Sequence, residues 1–183
     1  APDKLAELGA DEVIIATGSV AKKLPIPGCD GENVLEAVDY LLEKKPVGET
    51  VVIIGGGLTG CEIAYDLALK GKKPIIVEMQ DDILKIPGLS AANSNMLRDI
   101  IRYYNIEVNL SSALKEITAE GVRIAGEDGE KFIAADNVIL SVGYVPEMKF
   151  DAEAEGVTVI GDAAKVGNLL TVVRDAYNVA YAM

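Results

Sequence analysis

At 183 residues, half of them apolar and a quarter charged, the chain is long enough to bury a core, as one domain or two small ones. Its 29 acidic and 17 basic residues give a net charge of −12, which argues against nucleic acid or a membrane as partner but leaves room for a nucleotide held by backbone N–H groups. With no histidine, and with Cys29 and Cys61 in no metal-type or redox spacing, neither a catalytic side chain nor a metal site is expected, and a reducing, cytoplasmic location follows.

The opening "APDKLAELGADE" has neither the basic nor the apolar region of a signal peptide, and no apolar run approaches the roughly 18 residues that span a bilayer. "DEVIIATGS" (11–19) reads as a buried-type strand running into a Thr-Gly turn, and "PIPG" (25–28) as a rigid loop. "NVLEAVDYLLEKK" (33–45) has Val34, Ala37, Val38, Leu41 and Leu42 at helical spacing, and "PVGE" (46–49) reads as a boundary. Residues 51–78 then give strand, glycine turn, helix and strand. A second helix is expected over 91–105 and a short strand over 106–110. "LKEIT", "GVRIA" and "KFIAA" form an antiparallel meander with Asp128-Gly129 as a hairpin turn pair. "DNVILSVG" (136–143) is another buried-type strand. The last segment is a strand, a Gly-Asp turn and a helix with Leu169, Val172, Val173, Ala176 and Ala180 on one face. The fold class is therefore α/β: a mainly parallel sheet covered on both sides, built around a Rossmann-like βαβ domain, with the meander as an insertion.

Gly55, Gly57 and Gly60 form G-x-G-x-x-G between a β-branched strand and a helix, with Leu58 and Thr59 between the last two glycines. The first glycine permits the tight turn, the second lets a pyrophosphate approach the backbone, and the third lets helix and strand pack closely. The helix start offers its N–H groups to the phosphates. Glu78, at the end of the second strand, is placed to accept hydrogen bonds from an adenine ribose. No Arg follows among Met79, Gln80, Asp81 and Asp82 to receive a 2′-phosphate, which favours NAD(H) over NADP(H). Cys61 reads either as a small apolar residue under the helix or as a thiol with a lowered pKa at a helix start. Glu62 reads either as cofactor-facing or as an acid placed on the helix dipole.

"DEVIIATGS", the 51–79 segment, "NVILSVGYVP" and "VTVIGDA" stand in the order found in two-dinucleotide flavoprotein reductases, in which an NAD(P)H domain is inserted into an FAD domain. With "EAVDYLLEKKPVGETVVIIGGGLTGCE", the chain most resembles the C-terminal part of the enoate reductase and 2,4-dienoyl-CoA reductase group. The resemblance implies that Thr17 and Gly18 pass near the flavin nucleotide at the crossover between domains. It further implies that Asp162, after Gly161, accepts hydrogen bonds from FAD, that Gly143 closes the NAD domain, and that Glu62 lies next to the nicotinamide. From the residues alone, Thr17-Gly18 also reads as a plain turn and Asp162 as a turn or cap residue.

Residues 1–47 and 147–183 are accordingly expected as partial FAD-domain segments flanking an NAD(H) domain over 48–146. A second glycine fingerprint is missing, so the chain reads as a fragment that does not itself retain FAD and is inactive alone. In the whole protein the resemblance implies hydride transfer from NADH to FAD. Electrons then pass to an upstream reductase barrel carrying FMN and an iron–sulfur cluster. Rival readings are a stand-alone nucleotide-binding or regulatory domain and the same core from a glutamate synthase small subunit. A disulfide reductase fits less well, having no visible Cys pair here.

Overall fold

A computed structural model of the chain describes residues 9–147 and 156–182, so the first eight residues of the opening segment lie outside the described residues. In chain order the elements are β1 (Val13–Ile15), β2 (Ser19–Ala21), β3 (Val34–Glu36), α1 (Ala37–Leu41), β4 (Thr50–Ile54), α2 (Leu58–Leu69), β5 (Lys73–Val77) and α3 (Ala91–Tyr103). They continue with β6 (Glu107–Asn109), β7 (Ala113–Thr118), β8 (Gly121–Gly126), β9 (Gly129–Ala134), β10 (Asn137–Leu140), β11 (Tyr144–Pro146), β12 (Val157–Val159) and α4 (Leu169–Ala182). Two compact units result, one of residues 23–142 and one of residues 1–22 with 143–183. The boundary expected at 47/48 falls inside the larger unit.

In the larger unit the β-branched runs form a five-stranded parallel sheet in the order β3-β10-β4-β5-β6. Side chains alternate across a strand, so β4 feeds two cores. Val51 and Ile53 pack with Ile63, Leu67, Ile76 and Leu97 on the helical side. Val52 and Ile54 pack with Ile75, Leu114, Val122 and Ile124 on the other. The meander β7-β8-β9 thus supplies the second cover of the sheet. Its β8–β9 loop is Glu127-Asp128, with Gly126 paired to Gly129, and Gly129 takes φ +99° just past the turn.

The segment expected as one helix over 33–45 is a strand followed by a five-residue helix. Val34 pairs with Val138, and Val138 N–H donates to Asn33 O at 2.9 Å, so sheet pairing takes the start of the apolar run. Of the expected face only Ala37 is buried, Leu41 and Leu42 are exposed, and Tyr40 turns inward to donate to Asp66 Oδ2 at 2.5 Å. Lys70 Nζ lies 2.8 Å from the same carboxylate oxygen. Burial, followed by the bond to Asp66, pushes the Tyr40 phenol up to about 12.

The three helices of this unit end alike. Past α2, Gly71 N–H donates to Ala68 O and Lys72 N–H to Leu67 O, both at 3.0 Å, with Gly71 at φ +72°. Glu43 (φ +53°) and Asn105 (φ +49°) take the same left-handed position after α1 and α3, with the same bond pair. These are Schellman closures, which satisfy the last carbonyls of each helix.

In the smaller unit β1 pairs parallel with β12 and β2 antiparallel with β11. No residue of α4 is buried. Of its expected face only Val172 is partly covered, together with Asp175 and Val179, while Leu169 and Val173 are 83% and 64% exposed. The strands of this unit are thinly covered as well, with Ile14, Val20 and Val145 exposed. Among the described residues no helix is long and apolar enough to cross a membrane.

Candidate functional site

The larger unit places the glycine turn at the carboxyl ends of β4 and β5, where open α/β sheets collect ligands. Two of its glycines are required by the protein itself. Gly55 has φ +110°, and a Cβ there would fall 2.2 Å from Ser141 O. A Cβ on Gly60 would fall 2.0 Å from Gly55 O, so only glycine lets α2 sit this close to β4. Gly57 differs. Its φ of −72° suits any residue, and its Cβ would meet only Ile86 Cδ1, at 3.6 Å. Among the described residues no contact requires glycine there.

Gly57 caps α2 without a side chain, and Cys61 N–H donates to Gly57 O at 3.0 Å to begin the helical ladder. Leu58 and Thr59 therefore sit in the first turn, where backbone N–H groups have no acceptor within the helix and carry the positive end of its dipole. Glu62 is exposed and lies beyond that first turn, which leaves the helix-dipole reading little to act on. Cys61 is fully buried, its Sγ 3.4 Å from Gly56 O, and burial pushes its thiol up to about 12. It is an inert packing residue, and the reading as an activated thiol does not hold.

Glu78 stands at the end of β5 as expected, with both oxygens already engaged. Oε2 accepts from Gly56 N–H at 2.6 Å and Oε1 from Gln80 N–H at 2.8 Å. Each carboxylate oxygen retains a second lone pair for an incoming hydroxyl. A loop folds over the turn from the far side: Leu84 N–H donates to Gly56 O at 2.8 Å, with Leu84 in the left-handed region at φ +58°. For a bulky residue that conformation costs about 1–2 kcal/mol. An arginine does reach this loop, from α3, but it is committed. Arg98 Nη1 bonds Asp82 Oδ1 and Nη2 bonds Ile83 O, both at 2.6 Å. The guanidinium holds the Asp82 carboxyl below its ordinary range. Lys85 is likewise paired with Asp81, at 2.5 Å.

Beside the turn, Ser112 N–H donates to Glu78 O and Ser111 N–H to Gln80 O. The same two serines line a cavity of about 370 Å³ with Asn109, Gly126, Asp128 and Lys131. Among the described residues there is no cluster of three or more potential metal ligands.

The remaining expected residues belong to the smaller unit. Parallel pairing of β1 with β12 sets the two strand ends side by side. Thr17 Oγ1 donates to Glu147 O at 2.9 Å, and Gly18 (φ +79°) accepts from Glu147 N–H at 3.2 Å. Gly143 (φ +88°) accepts from Lys22 N–H at 3.0 Å. Asp162, after Gly161 (φ +61°), accepts from Ser19 Oγ at 3.3 Å and from Gly167 N–H at 3.0 Å. Gly55, Gly57, Leu58, Thr59, Gly60, Glu62 and Glu78 thus form one group, and Thr17, Gly18, Gly143, Gly161 and Asp162 another, each within its own unit. Gly56, Leu84, Arg98 and Ser19 escaped the sequence reading. A loop-to-helix bond across 16 residues and a left-handed leucine leave no local signature.

A family model described as pyridine nucleotide-disulphide oxidoreductase matches residues 2–173. The chain is 43% identical over 183 residues to a cinnamate reductase of Clostridium sporogenes, covering 97% of this chain and 27% of that protein. It is 38% identical over 189 residues to an NADH oxidase of Thermoanaerobacter brockii, covering 98% of this chain and 29% of that protein. Among solved structures, a 2-naphthoyl-CoA reductase in complex with 2-naphthoyl-CoA matches with a TM-score of 0.89 at 26% identity, over 100% of this chain and 28% of that one. The chain therefore spans less than a third of the length of these relatives.

Proposed function

The chain belongs to the pyridine nucleotide-disulphide oxidoreductase family, within its enoate reductase-like group, and from that premise we propose that it is the NAD(H)-binding portion of a flavin-dependent NADH oxidoreductase. The larger unit, which holds most of the expected 48–146 segment, is the NAD(H) domain, and the smaller unit is made of segments of an FAD domain. The family binds FAD and a nicotinamide dinucleotide; when bound, these groups supply the hydride and its acceptor, and the protein supplies binding and orientation. The role of this chain is to place NADH for hydride transfer to FAD, with electrons passed on to a reductase module elsewhere in the longer protein. FMN and an iron–sulfur cluster would belong to that module.

The observation that carries this reading is Gly57, a glycine with ordinary backbone angles where a Cβ would make only an ordinary contact, with Ile86 Cδ1 at 3.6 Å. No described residue supplies a steric reason for glycine there, and a pyrophosphate approaching the backbone does. The first-turn amides of Leu58 and Thr59 then face the phosphates. Glu78 accepts from the adenine ribose with its remaining lone pairs and repels a 2′-phosphate. Arg98 and Lys85, held by Asp82 and Asp81, do not offset that repulsion. Thr17, Gly18, Gly161 and Asp162 line the flavin side, Gly143 closes the NAD domain, and Glu62 lies on the nicotinamide side.

The test is calorimetric titration of this chain with NADH, NADPH and FAD, repeated on Gly57→Val and Glu78→Ala. NADH should bind in the micromolar-to-millimolar range, NADPH more weakly, and FAD weakly or not at all. Gly57→Val should weaken NADH at least about tenfold, roughly 1.4 kcal/mol, while leaving the chain folded by circular dichroism with only the modest loss of thermal midpoint expected of a poorer N-cap. Failure of both nicotinamide nucleotides to bind would sink the proposal.

A further inference from the structure

The glycine fingerprint assigns work to Gly55, Gly57 and Gly60 and none to Gly56, yet Gly56 is held through both its N–H and its carbonyl. Its N–H donates to Glu78 Oε2 at 2.6 Å, and its carbonyl accepts from Leu84 N–H at 2.8 Å and faces Cys61 Sγ at 3.4 Å. Ile83 and Glu78 close around its α-carbon, where a Cβ would fall 2.8 Å from Ile83 Cγ2 and 3.1 Å from Glu78 Cβ. One side of this grip comes from β5. The other comes from a loop that reaches Gly56 only because Leu84 adopts φ +58°, a conformation a leucine does not keep without support.

That support is identifiable. Immediately before Leu84, Arg98 from the middle of α3 takes Asp82 Oδ1 and Ile83 O at 2.6 Å each, a two-point grip on consecutive residues. Arg98 is largely covered, while Asp82 is about half exposed. Arg98 therefore fixes the loop, the loop fixes the carbonyl of Gly56, and Gly56 fixes the direction of the amides that follow it at Gly57, Leu58 and Thr59. We infer that Arg98 is a positioning residue for the pyrophosphate-binding turn, holding it in its binding geometry before any nucleotide arrives. The inference rests on the dinucleotide reading above and adds a residue that does not touch the ligand. It also gives the acidic loop after Glu78 a purpose beyond rejecting a 2′-phosphate: Asp82 is the handle by which α3 holds the turn.

The test is NADH titration of the chain and of Arg98→Gln, Asp82→Asn and the double variant, at a temperature where circular dichroism finds all four folded. Each single change should weaken NADH about tenfold, and the double variant should be no weaker than the weaker single, since the two side chains act as one unit. Arg98→Lys keeps a charge for Asp82 but cannot bond both partners in the same fork, so it should recover part of the loss. Without nucleotide, amide exchange at Leu84 should speed up in Arg98→Gln. A lower melting point with unchanged NADH affinity would reduce Arg98 to a structural residue and overturn the inference, as would losses that multiply in the double variant. Absence of NADH binding by the unsubstituted chain would instead bring down the functional reading, and this inference with it.

Discussion

The chain contains two glycine turns after a parallel strand, β4-Gly55-α2 and β12-Gly161, the second opening a 3-10 turn over Gly161–Ala163 with α4 starting at Leu169, and they are built in opposite ways. In the first, Val51, Val52 and Ile53 are fully buried, five residues of α2 are buried, and two of the three fingerprint glycines are demanded by backbone atoms of the chain. In the second, every residue of β12 is half-buried and none of α4 is buried. Gly161 is favoured by its φ of +61° and not by any close backbone contact, a Cβ there meeting Val172 at an ordinary 3.5 Å. Among the described apolar residues of the smaller unit, Ile15 and Ala163 alone are buried. A similar local sequence pattern thus yields one turn set rigidly by its own core and one held mainly by hydrogen bonds such as Ser19 to Asp162. Glycine, turn and helix start do not by themselves say how firmly a site is made.

The largest effect should come from the core beneath the first turn. Leu67→Ala should cost about 2–5 kcal/mol in denaturant unfolding of the larger unit, because the buried face of α2 cannot collapse onto the void. Next, Gly60→Ala should cost about 1–3 kcal/mol despite alanine's better helix propensity, since its methyl would overlap Gly55 O, and NADH titration should fail with it. Tyr40→Phe removes the bond to Asp66 and should cost about 1 kcal/mol. The raised Tyr40 pKa favours the protonated phenol in the folded state, so that contribution is complete below about pH 10 and disappears as pH rises through about 12; melts of the two proteins should converge there. Asp82 has the opposite sign. Its lowered pKa favours the ionised form, so the stability difference between the chain and Asp82→Asn should hold above about pH 4 and shrink as pH falls below it. The smallest effect belongs to the second turn, where Val173→Ala should change stability by less than about 0.5 kcal/mol. A cost there comparable with Leu67→Ala would erase the contrast between the two turns.

What could be read from the sequence divides along physical lines. The βαβ, the meander and the glycine turn were legible because each is written in a local period: alternating apolar residues, a helical spacing and fixed turn positions. Residues 33–45 misled because a short apolar run satisfies both periods, and the tie is broken by β10, a hundred residues away. The face of α4 was not legible because burial depends on what lies opposite, and Leu169 and Val173 point to solvent. Within the site, Gly55, Gly60 and Glu78 stand where their spacing placed them. The second engagement of Glu78 with Gly56, and the reach of Arg98 to Asp82, arise only once β5, α3 and the loop are assembled.

The three matching helix ends also define where this protein has room for improvement. They form a graded series in one backbone conformation, filled by glycine after α2, asparagine after α3 and glutamate after α1. Glycine meets no penalty in the left-handed region, asparagine a small one, and glutamate the largest of the three. Glu43 and Asn105 are therefore natural handles for thermostabilisation, since a change to glycine at either relieves strain at a surface position and leaves Gly57, Glu78 and Arg98 unchanged.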